Sequence, residues 1–152
     1  VAANDEMTEI RQLLQGATVR SVGRAADMSV VEFISLRGEA VNAHMQCPFR
    51  IVQQGTIIMG SRDMTYPQRG AGVEAFDQFK TIYDSRAATL NGILEQLRPA
   101  VAGVIFGDAG YVALEWDPGF RAEIFPDCSG TVEAWRVSVR GGLHYGFPQG
   151  SV

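Results

Sequence analysis

Two blocks of period-two alternation flank one stretch in which apolar residues recur every three or four positions, and this change of period limits what the chain can fold into. Alternation predicts strands near residues 18–22, 29–36, 40–47 and 49–59, the last interrupted by the turn-like Gln53-Gln54-Gly55. Phe76, Phe79, Tyr83, Ala87, Leu90, Leu94 and Leu97 then form a helical stripe. Pro99 stops it by pushing Arg98 out of helical backbone space. Asp84 and Ser85 are both good caps and offer a point at which this stripe divides into two helices. Strand patterns return at 101–106, 111–116, 120–125 and 131–140, with an edge piece at 143–147. A short leading helix is expected from Met7, Ile10, Leu13 and Leu14, capped by Asn4 and ended by Gly16.

Turn residues at 107–110, 117–119 and 127–130 separate the late strands at hairpin distances, so those strands are expected to be antiparallel. The expectation is an α+β domain: two antiparallel meanders, in one sheet or two, with a short N-terminal helix and a central amphipathic helix packed on one side. At 152 residues and 46% hydrophobic content, the chain suits a single domain over 1–152 that needs neither disulfide nor metal to be stable. Its formal charge of −4 argues against sequence-independent nucleic-acid binding, which requires a basic stripe. Lys80 is the only lysine among 13 cationic residues, a bias that reads most simply as one of codon usage. Two cysteines are too few for a disulfide framework, and no apolar run approaches a membrane span. Polar Asn4, Asp5 and Glu6 stand where a secretory signal places cations and an apolar stretch, and the reading is a cytoplasmic protein.

Over 40–47, Val41, Ala43, Met45 and Cys47 point one way and Asn42, His44 and Gln46 the other. That polar row lines a ligand groove or is the ordinary wet face of an antiparallel sheet. His44, Cys47, Cys128 and His144 have the composition of a zinc site but poor spacing for one, and no metal or other cofactor is expected. Cys128, within Pro126-Asp127-Cys128-Ser129-Gly130, has the neighbours of a turn rather than of an activated thiol. Ser61 lacks the elbow of a hydrolase nucleophile, and Gly70-Ala71-Gly72 lacks the lysine of a phosphate loop. The polar loop at 61–72 is long enough to be a site. Alternation places Glu133 on one face with Trp135, Val137 and Val139, and a carboxylate there needs a partner. Arg50 is the expected one, in a pair that braces the two strand groups.

Five segments carry a resemblance: Arg24-Ala25-Ala26-Asp27-Met28, His44-Met45-Gln46-Cys47-Pro48-Phe49-Arg50, Gly60-Ser61-Arg62-Asp63, Phe125-Pro126-Asp127-Cys128-Ser129 and Glu133-Ala134-Trp135-Arg136. Together they resemble a family of small bacterial proteins with the motifs RA-D-M, LH-x-QCPWR, GS-x-D, FPD-x-S and E-x-WR. Phe49 stands in place of the family's Trp and Ala43 in place of its Leu. The resemblance implies no activity, cofactor or catalytic residue. By style alone, such chains are similar to immunity and accessory proteins of toxin systems.

The leading expectation is a non-enzymatic protein that binds another protein, as an immunity-type or accessory component of a toxin or defence system. Its surface would be drawn from Asn42, His44 and Gln46, Ser61, Asp63 and the rest of the 61–72 loop, Arg50 and Arg136. The alternative is a small-molecule-binding protein or modest enzyme, with a polar pocket of His44, Asp63, Asp127 and Glu133 near Arg50 and Arg136. A third reading is an assembly component, a homodimer included, that associates through the 143–147 edge.

Overall fold

The computed structural model describes residues 2–149, and the side chains of residues 5–149. Helix α1 (Ala2–Leu14) buries Ile10 and Leu14 and ends at Gly16, whose φ of 79° suits a residue without Cβ. Because α1 already includes Asn4, that residue is not its cap. Ten strands follow: β1 (Thr18–Ala25), β2 (Met28–Ile34), β3 (Ala40–Met45), β4 (Phe49–Gln53), β5 (Thr56–Gly60), then after helix α2 (Ile82–Leu97) β6 (Val101–Phe106), β7 (Val112–Trp116), β8 (Phe120–Ile124), β9 (Trp135–Val139) and β10 (His144–Phe147). The fold is α+β, with two five-stranded antiparallel sheets.

Each sheet mixes early and late strands. The first sheet runs β1-β2-β3-β9-β10 and the second β5-β4-β8-β7-β6. The exchange occurs at one corner, where β3 passes into β4 through Cys47-Pro48 while β8 passes back into β9. Gln46 N–H donates to Ala134 C=O (2.7 Å) and Phe125 N–H to Pro48 C=O (2.9 Å), so the two crossings hold each other. The hairpin expected at 127–130 is therefore a crossing between sheets. β8 already has β7 and β4 on its two sides, and the open edge available to β9 is that of β3. At a second junction Val19 N–H reaches Pro99 C=O and Val101 N–H reaches Ala17 C=O, tying the start of β1 to the start of β6.

One apolar core runs through both sheets and both helices, with Val19, Phe33 and Met45 from the first sheet, Ile51, Leu114 and Trp116 from the second, and Leu14, Tyr83 and Leu94 from the helices. The helices also close strand edges. Asn91 of α2 accepts from Val22 N–H (2.7 Å) and donates to Val22 C=O (2.9 Å), acting as a one-residue strand on the edge of β1. On β6, Arg11 of α1 and Gln15 just after it donate to the carbonyls of Val104 and Ala102.

The central helix is shorter than its apolar stripe. Its first turn is fixed by a capping box in which Thr81 Oγ1 accepts from Asp84 N–H and Asp84 accepts from Thr81 N–H, so the break falls at Thr81 and not at Asp84-Ser85. Phe76 and Phe79 belong to turns before it, Phe79 with φ 56°. They keep the helical spacing because their rings flank the Arg24 guanidinium, at 4.3 and 4.0 Å from its carbon. At the other end Arg98, ahead of Pro99, leaves right-handed helical space for left-handed backbone (φ 43°, ψ 57°), its N–H still donating to Leu94 C=O. Among the described residues no helix is long and apolar enough to cross a membrane.

Candidate functional site

The outer face of the first sheet gathers most of the polar side chains that alternation singles out. Cross-strand register sets Ser21, Glu32, Asn42, Ser138 and His144 in one row across all five strands. The adjacent row is Gly23, Val30, His44, Arg136 and Gly146. Their sequence neighbours Val22, Val31, Val41, Ala43, Val137 and Tyr145 are buried, which fixes the rows as outward. Five strands about 4.8 Å apart make this band roughly 20 Å wide. Alternation put Ser138 on one face of its strand with Arg136, but Ser21, Glu32 and His144 were not assigned to a face by the sequence. Joining all five into one row requires the cross-strand register, the pairing of β9 with β3 included, which alternation within one strand does not contain.

His44 sits directly across from Arg136. Partial burial and then the Arg136 charge hold its imidazole below its ordinary 6.5, against weaker opposing effects of Glu133 and Glu32. Arg136 in turn donates to Glu133 from Nε, to Oε1 at 3.1 Å and Oε2 at 3.3 Å, and from Nη2 to Oε2 at 3.2 Å. Glu133 therefore does not brace Arg50, and it does not share the apolar face of Trp135. β9 begins only at Trp135, so the alternation that assigned Glu133 to that face has not yet started.

The guanidinium of Arg50 instead meets Glu123 on the outer face of the second sheet, with Nε 2.8 Å from Oε1. Tyr111 donates to the other carboxylate oxygen at 2.6 Å, and Arg121 links Tyr111 to Glu115. Burial alone would raise the Glu123 carboxyl, but the Tyr111 and Arg50 hydrogen bonds and two nearby guanidinium charges hold it below its usual range. This network joins β4 and β8 to the start of β7, and it is a brace of the kind expected, with a different acid. Glu123 alternates outward with Arg121 on β8, between the buried Ala122 and Ile124, and that alternation over 120–125 was the available signal.

The remaining candidates do not join the polar band. Ser61 Oγ accepts from Phe49 N–H (3.1 Å), and Asp63 accepts from Gly60 N–H (2.9 Å), so both fasten the 3-10 turn Ser61–Thr65 that follows β5. Gln46 lies just beyond β3, exposed, with Nε2 3.6 Å from Met28 Sδ. Asp127 is exposed at the corner beside Cys128. Cys47 is buried there, and burial, with Asp127 and Cys128 adding to it, pushes its thiol up to about 12. Of the expected polar pocket, His44 and Glu133 lie within electrostatic reach of one another, whereas Asp63 is held by Gly60 N–H in the turn after β5. None of five surface clefts of 390–720 Å³ is lined by His44, Arg50, Glu133 or Arg136. Among the described residues no three His, Cys, Asp or Glu side chains converge as metal ligands; Cys47 and Cys128 share the corner, and His44 and His144 stand on the two rows of the first sheet.

A further site, with no signal in the spacing, is the Arg24–Asp84 pair. Nε and Nη2 of Arg24 reach the two Asp84 oxygens at 2.8 and 2.9 Å, and Nη2 also donates to Phe76 C=O. The Arg24 side chain is 1% exposed and that of Asp84 12%. Burial opposes ionisation of Asp84, but Arg24 and Thr81 outweigh it and hold the carboxyl below its ordinary value. Comparison with known proteins found no matching family model, curated protein or solved structure.

Proposed function

We propose that this chain is a non-enzymatic protein-binding protein whose contact surface is the polar band of the first sheet. The observation that carries the reading is the continuous row Ser21, Glu32, Asn42, Ser138 and His144, flanked by His44 and the Arg136–Glu133 pair. A broad, rigid, wet face offers many shallow contacts and suits another protein better than a substrate needing enclosure. Arg136 supplies a planar fork for a partner carboxylate, and the net charge of −4 steers basic partners toward the molecule as a whole. Asn42, His44 and Arg136 belong to this surface, and Gln46 borders it. Arg50, Ser61 and Asp63 act in bracing and turn formation. Within the bacterial family it resembles, the chain is proposed to serve as an immunity-type or accessory component of a toxin or defence system, acting in the cytoplasm.

The test is affinity capture from the source cells with the native chain and with an Asn42→Arg/Arg136→Glu variant as bait. A partner retained stoichiometrically by the native chain and lost from the variant, at equal melting temperature, supports the reading. A partner retained equally by both overturns the assignment of the surface. If neither bait retains one, including after co-expression with the products of adjacent genes, the binding function fails. The assembly reading draws on β10, the terminal strand of its sheet, and concentration-independent monomer mass in sedimentation would dismiss it.

A further inference from the structure

A separate cleft opens between α1, the 107–110 turn and β10, on the far side of β10 from the polar band's centre. Its volume is about 390 Å³, within the range of small-molecule sites. The walls are aromatic: Phe106, Tyr111, Trp135 and Phe147 all line it, with Trp135 and Phe147 stacked at 5.9 Å. The charged residues of the lining are two acids, Glu6 and Asp108, and no lysine, arginine or histidine is among them.

The turn that forms one wall is held in place. Trp135 Nε1 donates to Gly110 C=O at 2.8 Å, which fixes the indole against the turn. Ala109 occupies left-handed backbone (φ 55°), uncommon for a residue with a side chain. At Gly110 a Cβ would come within 2.3 Å of the Phe147 ring, so only glycine lets the turn close over that ring. Nearby, Arg11 places its guanidinium over Phe106 at 5.2 Å while bonding to the Val104 carbonyl.

From the aromatic walls, the two acids of the lining and the fixed turn, we infer that this cleft binds a small organic cation of the alkylammonium type. A quaternary or protonated amine satisfies both features, because its apolar periphery packs on ring faces while its charge meets their quadrupoles and the two carboxylates. A neutral ligand of the same shape gains only the packing. The inference is independent of the protein-binding face, with which the cleft shares only Gly146 at the end of the second row.

Choline chloride is the probe, titrated into the native chain against sodium chloride at matched ionic strength. The readouts are the Trp135 indole N–H and the Gly107 and Gly110 amides in nitrogen–proton NMR spectra. Saturable shifts of these signals are expected, with affinity falling about tenfold in the Glu6→Gln/Asp108→Asn variant. Both replaced residues are outside the core, and unchanged remaining resonances confirm the fold. The neutral carbon isostere 3,3-dimethylbutan-1-ol is expected to shift the same signals at least about tenfold more weakly. A short peptide carrying one trimethyl-lysine separates the sources of the cation: tighter binding than choline assigns it to a protein side chain, weaker binding to a free metabolite. No saturable shift with either cation, or equal binding of choline and its neutral isostere, overturns the inference.

Discussion

The Arg24–Asp84 and Arg136–Glu133 pairs use the same chemistry for different ends. Arg24 is closed in by Phe76, Phe79 and the capping box of α2, and every part of its fork has a partner within the fold. Arg136 keeps 34% of its side chain exposed, and its acid partner is three residues away in the same segment. The first pair connects β1 to α2 across 60 residues, so its loss uncouples two elements. The hydrogen bonds between Arg136 and Glu133 span only three residues of one segment, and a third of the Arg136 side chain faces solvent. A guanidinium–carboxylate pair is informative about function through what it leaves unspent.

The largest effect that would break this contrast is at Arg24. Arg24→Met strands Asp84 in a poorly solvated position, and urea unfolding is expected to show a loss of about 3–5 kcal/mol. Glu123→Gln comes next: it removes the charge that Arg50 and Arg121 share, with an expected loss of about 1–3 kcal/mol by the same measurement. Acid unfolding sharpens both. Asp84 and Glu123 are each held below their ordinary values, so their contribution is complete above the usual carboxylate range and is lost as pH falls through the lowered values. Asp84→Asn should therefore flatten the acid limb of a stability–pH curve.

At the polar band the expected effects on folding are small. Glu133→Gln and Arg136→Met should each change stability by about 1 kcal/mol or less. His44 is expected to titrate below 6.5 in proton NMR and to move back upward in Arg136→Met. Its neutral form is the favoured one when folded, so what His44 contributes is present above the unfolded value and declines as pH falls.

The same contrast separates what was legible in the sequence from what was not. Alternation over 40–47 gave the correct outward side chains of β3, and Pro99 gave the end of α2, because both are set by residues adjacent in the chain. The N-terminus of α2 was misplaced because Phe76 and Phe79 preserve a helical spacing while serving Arg24. A partner 60 residues away leaves no periodic trace, though Thr81-x-x-Asp84 was a readable capping box. Glu133 was assigned the wrong face because alternation was extended beyond the end of a strand that starts at Trp135. The full polar band depends on β9 crossing to β3, and short turns such as 127–130 do not by themselves distinguish a hairpin from a change of sheet.

Two double-mutant cycles, Arg24/Asp84 and Arg136/Glu133, measured by urea unfolding under one set of conditions, bear most directly on the division between brace and face. A coupling of about 2 kcal/mol or more is expected for the first and under about 1 kcal/mol for the second. Comparable couplings in the two cycles would contradict it, since the outer pair would then be part of what holds the fold together.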